Sequence, residues 1–197
     1  MLLRVTQFGE PVLREVGKPV ENFDASLKQL TQDMLETMYA SKGVGIAAQQ
    51  VGHALQLCVI DLQARGADVD FDYDFDGKKP PLDLLMPLVV ANPELKLGRS
   101  PLSIYEEGCL SFQGIRGDIE RPERVTLTYQ DVSGVKHVLK ATGFLSRVIQ
   151  HEYDHLQGIL FTDRMDASVK RELKPVLATL KATAKELMSE QKLKPKF

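Results

Sequence analysis

One short stretch of this chain has the residue types and spacing for metal-assisted hydrolysis: His151-Glu152-Tyr153-Asp154-His155. Two histidines four apart on a helix lie on one face, one turn apart, so both imidazoles can reach a single metal ion. The glutamate that follows the first histidine can reach a water on that metal without being a ligand itself. The chain holds only four histidines, and two of them bracket this glutamate, which makes a chance pairing on a helix surface the weaker reading.

A catalytic metal site usually has three protein ligands and one open position, so a third ligand is required. The metzincin continuation H-x-x-G-x-x-H is met at His155 and Gly158 but fails at Phe161, whose ring cannot bind a metal. Glu172 is a downstream carboxylate, but Lys170 and Arg171 beside it suit a solvated helix face. Cys109, in Glu107-Gly108-Cys109-Leu110-Ser111, offers a thiolate in a loose polar setting. Cys58, in Leu57-Cys58-Val59-Ile60, reads instead as a small hydrophobe inside a strand. Residue types alone leave the third ligand open.

Three segments taken together resemble the signature motifs of the peptide deformylase family, in the family's order. They are Gly43-Val44-Gly45-Ile46-Ala47-Ala48-Gln49-Gln50, then Glu107-Gly108-Cys109-Leu110-Ser111, then Gln150-His151-Glu152-Tyr153-Asp154-His155-Leu156. Pro11-Val12-Leu13-Arg14 and Lys18-Pro19-Val20 are similar to the family's N-terminus, and the resemblance spans roughly residues 1 to 166. It implies removal of the N-formyl group from the initiator methionine of newly made proteins, with release of formate. It further implies that Cys109, His151 and His155 bind one divalent metal, usually Fe2+, with Zn2+, Ni2+ or Co2+ as alternatives. Glu152 would be general base and then general acid. The Gln50 side-chain amide and the Leu110 backbone N–H would stabilise the oxyanion.

General chemistry agrees with these roles. A divalent metal lowers the pKa of its bound water towards neutrality, and a tetrahedral oxyanion needs preplaced donors. Phe144, Val148, His151 and His155 share one helix face, so an apolar pair precedes the ligands and a methionine side chain could pack there beside Val44 and Tyr105. Gly45 lets the backbone approach a ligand closely. Arg116 resembles the family's arginine that meets the peptide backbone, and Glu107 is expected at the substrate site, paired with Arg121 as support. The sequence departs from the family's usual pattern at Gln113, where proline is common, at the bulky Phe112, and in the adjacent amides Gln49 and Gln50, of which the family alignment favours Gln50.

These residues need elements to position them. Ser26 to Ser41 carries Leu27, Leu30, Met34, Leu35 and Met38 on one face, with Ser26 and Gln29 as a capping box. A Gly-punctuated loop follows, then strands over Leu55 to Leu62 and Met86 to Asn92, the latter stopped at Pro93. Arg124 to Asp131 and Val135 to Ala141 form a hairpin through Ser133-Gly134. Thr142 caps a helix running from about Gly143 to Gln157, closed by Gly158. A last helix runs from about Ala167 towards Glu190, with Pro175 kinking it or fixing its first turn. The elements do not alternate as βαβ units. They predict an α+β fold, with antiparallel strands packed around a central metal-binding helix and a C-terminal helix.

The 197 residues suit one domain, with a catalytic part over 1–166 and a basic helix and tail over 167–197. Net charge is -2, which favours neither membrane nor specific DNA binding. The charge is divided, however: residues 168–197 carry eight Lys/Arg against three Asp/Glu, and the rest carries 17 against 24. Such asymmetry can mark a docking segment, and for a protein acting on nascent formylmethionyl chains the expected partner is the ribosome. The stripe Val169, Leu173, Val176, Leu177, Leu180, Ala184 and Leu187 would dock on the body and leave the lysines to solvent. Two cysteines, no signal-like N-terminus and no apolar run of membrane-spanning length predict a cytoplasmic protein. Asp72, Asp74, Asp76, Gly77 and Asp83 fit a calcium-loop pattern, but Pro80 and Pro81 oppose its following helix, and alternation with Phe71, Tyr73 and Phe75 suits an edge hairpin better. A metallopeptidase lacks its third histidine here, and a catalytically inactive binding module would not need the complete set Gln50, Cys109, His151, Glu152 and His155.

Overall fold

A computed structural model describes residues 1–65 and 68–193. Short strands with alternating or wholly apolar side chains build a six-stranded antiparallel sheet. Its strands are β1 (Gly45–Ala47), β2 (Leu57–Ile60), β3 (Tyr73–Phe75), β4 (Leu88–Leu97), β7 (Arg124–Gln130) and β8 (Lys136–Thr142), in the order β1-β2-β4-β7-β8-β3. β5 (Leu102–Cys109) and β6 (Phe112–Pro122) form a separate antiparallel ribbon. The helices are α1 (Ala25–Ala40), α2 (Leu82–Leu85), α3 (Gly143–Leu156), α4 (Phe161–Arg164) and α5 (Ala167–Leu193).

β2 shows how the sheet is covered. Cys58 and Ile60 point to one side and join Leu145, Ile149 and Leu156 of α3 in one core cluster. Leu57 and Val59 point to the other and join Met34, Leu35 and Met38 of α1. The sheet is thus sandwiched, and α3 is the inner helix, with ten of its 14 residues buried. A third cluster gathers Leu13, Phe112, Ile119, Leu160, Phe161 and Met165 between the ribbon and α5.

The α+β architecture and the hairpin of β7 and β8 are as the sequence predicts, but several local expectations are corrected. Asp24, not Ser26, caps α1, accepting from the N–H groups of Ser26 and Leu27. Pro93 does not stop β4. The ladder is irregular between Ala91 and Glu94, and Asn92 at φ 50° turns its side-chain amide to Val20 and Gln130. A bulge of this kind removes the need for the donor that proline lacks. Thr142 precedes α3 but makes no side-chain cap, since its hydroxyl accepts from the Asp72 N–H instead. Pro175 lies inside α5 rather than in its first turn. Val169, Leu173, Leu177 and Leu180 face the third cluster, while Val176 and Leu187 are exposed and leave the expected stripe. Lys194 and Lys196 lie outside the described residues. The acidic segment supplies β3 at the sheet edge, where Tyr73 pairs with Ala141 and Phe75 with Leu139.

Candidate metal centre and its cavity

The site forms where three chain segments meet. α3 supplies His151 and His155 one turn apart, with ring centroids separated by 5.1 Å. Gly143 lets the helix start in tight quarters: its φ is 57°, and a Cβ there would lie 2.4 Å from the Asp70 carbonyl oxygen. Cys109 ends β5, where the register slips before a turn through Leu110 and Ser111 into β6. Its Sγ is 3.3 Å from His155 Nε2. One donor atom from each of Cys109, His151 and His155 lies within 4.8 Å of the others. Tetrahedral coordination with Zn–N and Zn–S lengths places ligand atoms about 3.3–3.6 Å apart, so this donor set fits a metal ion.

Behind the ligands stands an ion cluster. Glu107 accepts from His151 Nδ1 at 2.9 Å, from Arg121 at 2.7 and 3.0 Å and from Arg147 at 2.8 Å. Arg121 also donates to Asp154 at 2.8 Å, and Arg164 of α4 donates to both Asp154 oxygens. Burial alone would raise the Glu107 carboxyl, but the hydrogen bonds from His151 and Arg121 hold it well below the usual carboxylate range. Its bond to Nδ1 leaves His151 Nε2 to face the site, an orienting contact typical of metal-bound histidines. Burial presses His155 well below the ordinary imidazole value, so its ring is neutral, the form a ligand needs. The same burial acts on His151, but hydrogen bonds to Cys109 and Glu107 reverse it and hold the ring well above its ordinary value.

Glu152 sits beside the ligands and is 4% exposed. Burial pushes its carboxyl up to about 7, and Oε2 has no hydrogen-bond partner. Gln50 lies in a tight 3-10 turn, Ala48–Val51, that follows β1. Its Oε1 accepts from the Ala47 N–H at 2.8 Å, which turns Nε2 towards Cys109 Sγ and Ser111 Oγ, each at 3.3 Å. Gln49 is also buried, but its amide nitrogen reaches away to the Glu15 and Leu156 carbonyls. The Leu110 N–H donates to no acceptor among the described residues.

Residues 2–171 match the Polypeptide deformylase family. The chain belongs to that family. A peptide deformylase of Opitutus terrae is 47% identical over 196 residues, covering 99% of this chain and 100% of the relative. Among solved structures, the peptide deformylase of Synechococcus elongatus in complex with actinonin superposes with a TM-score of 0.74 at 39% identity, over 90% of this chain and 85% of that one. Peptide deformylase 1B of Arabidopsis thaliana in complex with an inhibitor gives 0.81 at 31% identity, over 95% and 94%. This deformylase is accordingly a metal-dependent hydrolase that removes the N-formyl group from nascent peptides.

A cavity of about 590 Å³ opens beside Cys109, His151 and Glu152. Val44, Gly45, Tyr105, Glu107, Arg116, Phe144 and Val148 all line it, so the deformylase fold brings together every pocket residue expected from sequence. Their parts differ. Phe144 and Tyr105 meet edge to face at 5.6 Å and form an apolar wall. Arg116 is exposed at the rim, 3.4 Å from Glu106. Glu107 borders the cavity, but its carboxylate is committed to the ion cluster rather than offered to a guest. Phe161, at the position of a metzincin's third ligand, packs into the third apolar cluster. Arg147 was not expected at this site, although it lies three residues after Phe144 and so on the same helix face. Asp154, which pairs with Arg121, and Arg164, which pairs with Asp154, also carry no signal for this site in the sequence.

Proposed function

We propose that this deformylase holds one divalent metal on Cys109, His151 and His155, Fe2+ in the cell, and hydrolyses formyl-methionyl nascent chains to formate and a free N-terminal amine. The observation that carries this reading is the convergence of three donor atoms beside a buried carboxylate with one unpartnered oxygen, at the side of an open cavity. The metal, when bound, supplies Lewis acidity that makes a water nucleophile available near neutral pH.

The chain's own residues do the rest. Glu152 accepts a proton from the attacking water and delivers it to the departing amine nitrogen as the C–N bond breaks. A carboxyl raised towards neutrality suits both directions of transfer. Gln50 Nε2 and the Leu110 N–H donate to the formyl oxygen as negative charge grows on it. Val44, Phe144, Val148 and Tyr105 pack the methionine side chain, and Gly45 leaves room for the Glu152 carboxylate. Arg116 at the rim meets the peptide backbone. Residues 1–166 form the catalytic part, and α5 belongs to the same domain.

The proposed place of action is the cytoplasm, beside the ribosomes that make the substrate. Lys170, Arg171, Lys174, Lys181 and Lys185 are exposed along α5 and could contact phosphate on an RNA-rich surface. No helix among the described residues is long and apolar enough to cross a membrane. The test is release of formate from formyl-Met-Ala-Ser by anaerobically purified protein, with metal content measured on the same sample. Stoichiometric Fe2+ with no formate released would overturn the reading.

A further inference from the structure

An arginine is an unusual neighbour for a methionine side chain, yet Arg147 lines the cavity on the same helix face as Phe144 and Val148. It is 5% exposed. Its four terminal N–H groups are all engaged. Nη1 donates to Glu107 Oε1 at 2.8 Å and to the Ile119 carbonyl at 2.9 Å. Nη2 donates to the Ser103 carbonyl at 2.8 Å and to the Ser103 hydroxyl at 3.0 Å. These acceptors lie on both strands of the ribbon and fix the guanidinium in its plane, with its central carbon 5.5 Å from the centroid of the Tyr105 ring. The fifth N–H, on Nε, has no acceptor among the described residues. Nor is it sealed inside the protein, since the sealed side-chain atoms without a partner there are Gln49 Oε1, Glu152 Oε2 and His155 Nδ1. Arg147 lines the cavity with this one N–H left without a protein acceptor.

The same cavity has Val44, Phe144, Val148 and the Tyr105 ring among its apolar lining. A purely aliphatic guest would strip water from the N–H and return nothing. A thioether is unbranched and flexible, and its sulfur is a weak acceptor. We propose that Arg147 Nε–H donates to the methionine sulfur of the substrate and is the specificity-determining group that separates methionine from an aliphatic chain of equal length. The proposal rests on the reading that this cavity holds the methionine side chain.

Norleucine replaces the sulfur by a methylene and is the direct probe. The kcat/KM for formyl-Met-Ala-Ser should exceed that for formyl-norleucyl-Ala-Ser by about 3-fold, the worth of one weak hydrogen bond. In Arg147→Lys, which keeps a cation but carries no Nε–H at that point, the ratio should fall to about 1. A residue that merely braces Glu107 would slow both substrates alike and leave the ratio unchanged, which would overturn the proposal while deformylation itself stood. Failure to turn over either substrate would strike the underlying reading of the site instead. A second measurement does not depend on the variant folding. In zinc-loaded wild-type protein, the Arg147 Nε–H resonance in a 1H–15N spectrum should shift on adding the product Met-Ala-Ser and not on adding norleucyl-Ala-Ser. Identical responses to the two peptides would overturn the assignment.

Discussion

Replacing Gly45 with alanine tests the geometry of the site through a single methyl group. A Cβ on Gly45 would lie 2.4 Å from Glu152 Oε1, 2.8 Å from its Cδ and 2.9 Å from its Cγ. Comfortable non-bonded contact begins near about 3.5 Å, so the carboxylate must retreat by about 1 Å. Gly45 is not in the left-handed region, so its backbone accepts alanine without strain. Oε2 has no hydrogen bond to anchor it, and the side chain yields rather than the strand. The stability cost should therefore stay within the range of modest overpacking, about 1–3 kcal/mol. The catalytic cost should be larger, because a displacement of about 1 Å at a reacting group costs on the order of 10²-fold in rate. The expected result is a fall in kcat of about 100-fold with metal content unchanged. Formate release, metal analysis and a urea unfolding curve on one preparation measure all three quantities. A fully metallated Gly45→Ala protein within about 3-fold of the wild-type rate would refute the claim that Glu152 must occupy this position.

Four further outcomes are expected. Glu152→Ala should keep its metal and lose about 10²–10⁴-fold in turnover, or more if the residue serves in two proton transfers; a near-wild-type rate at full metal loading would remove it from the mechanism. Cys109→Ser should bind metal more weakly, and the wild-type Fe2+ form should lose activity in air while a Ni2+ form does not; equal metal affinity in a competition titration would move the third ligand elsewhere. Arg4→Gln concerns Glu10, whose carboxyl burial would raise but whose hydrogen bonds from Arg4 and the Gln7 N–H hold it below its ordinary 4.5. A depressed carboxyl stabilises the fold above that ordinary value and loses the contribution as pH falls through the folded value. The variant should therefore be less stable by about 1–3 kcal/mol at pH 7, with the gap to wild type closing below about pH 4; a gap constant from pH 7 to 3 in denaturant titrations would contradict the sign. Deleting residues 185–197 should leave hydrolysis of a short formyl-peptide almost unchanged and weaken co-sedimentation with ribosomes at low salt; full-length protein that does not co-sediment would reduce α5 to a structural helix.

The helix that carries the chemistry was legible because its signals are local: two histidines four apart, a preceding Thr142 and a closing Gly158. The hairpin of β7 and β8 was legible for the same reason, through Ser133-Gly134 between alternating runs. The ribbon of β5 and β6 was not. Its sequence is rich in Glu, Gly and Arg, and it lies against cavity and solvent, so neither alternation nor propensity announces it. That ribbon nonetheless places Cys109 and every side-chain hydrogen-bond partner of Arg147. Asn92-Pro93 misled because proline usually ends a strand, and only the long-range bonds of Asn92 to Val20 and Gln130 permit the bulge. Asp24 outranked Ser26 as the cap because its carboxylate reaches two of the free N–H groups of the first turn, those of Ser26 and Leu27. In the site, residue types together with the family resemblance pointed to Cys109, His151 and His155, while the buried Arg147 and Asp154 and the exposed Arg164 depend on tertiary neighbours that no window of sequence contains.

Glu107 has a consequence beyond bracing. One of its oxygens is held by Arg147, which lines the cavity, and the other by Nδ1 of His151, the histidine proposed to hold the metal. Pocket and ion are therefore two claims on a single carboxylate. Thermodynamic reciprocity then applies: whatever free energy the ion lends to peptide binding, the peptide must lend back to retention of the ion. Where the ion favours peptide binding, the metal is held most firmly while a formylated chain is in place and is most prone to leave between turnovers. The idle interval, rather than the chemical step, would be its period of vulnerability.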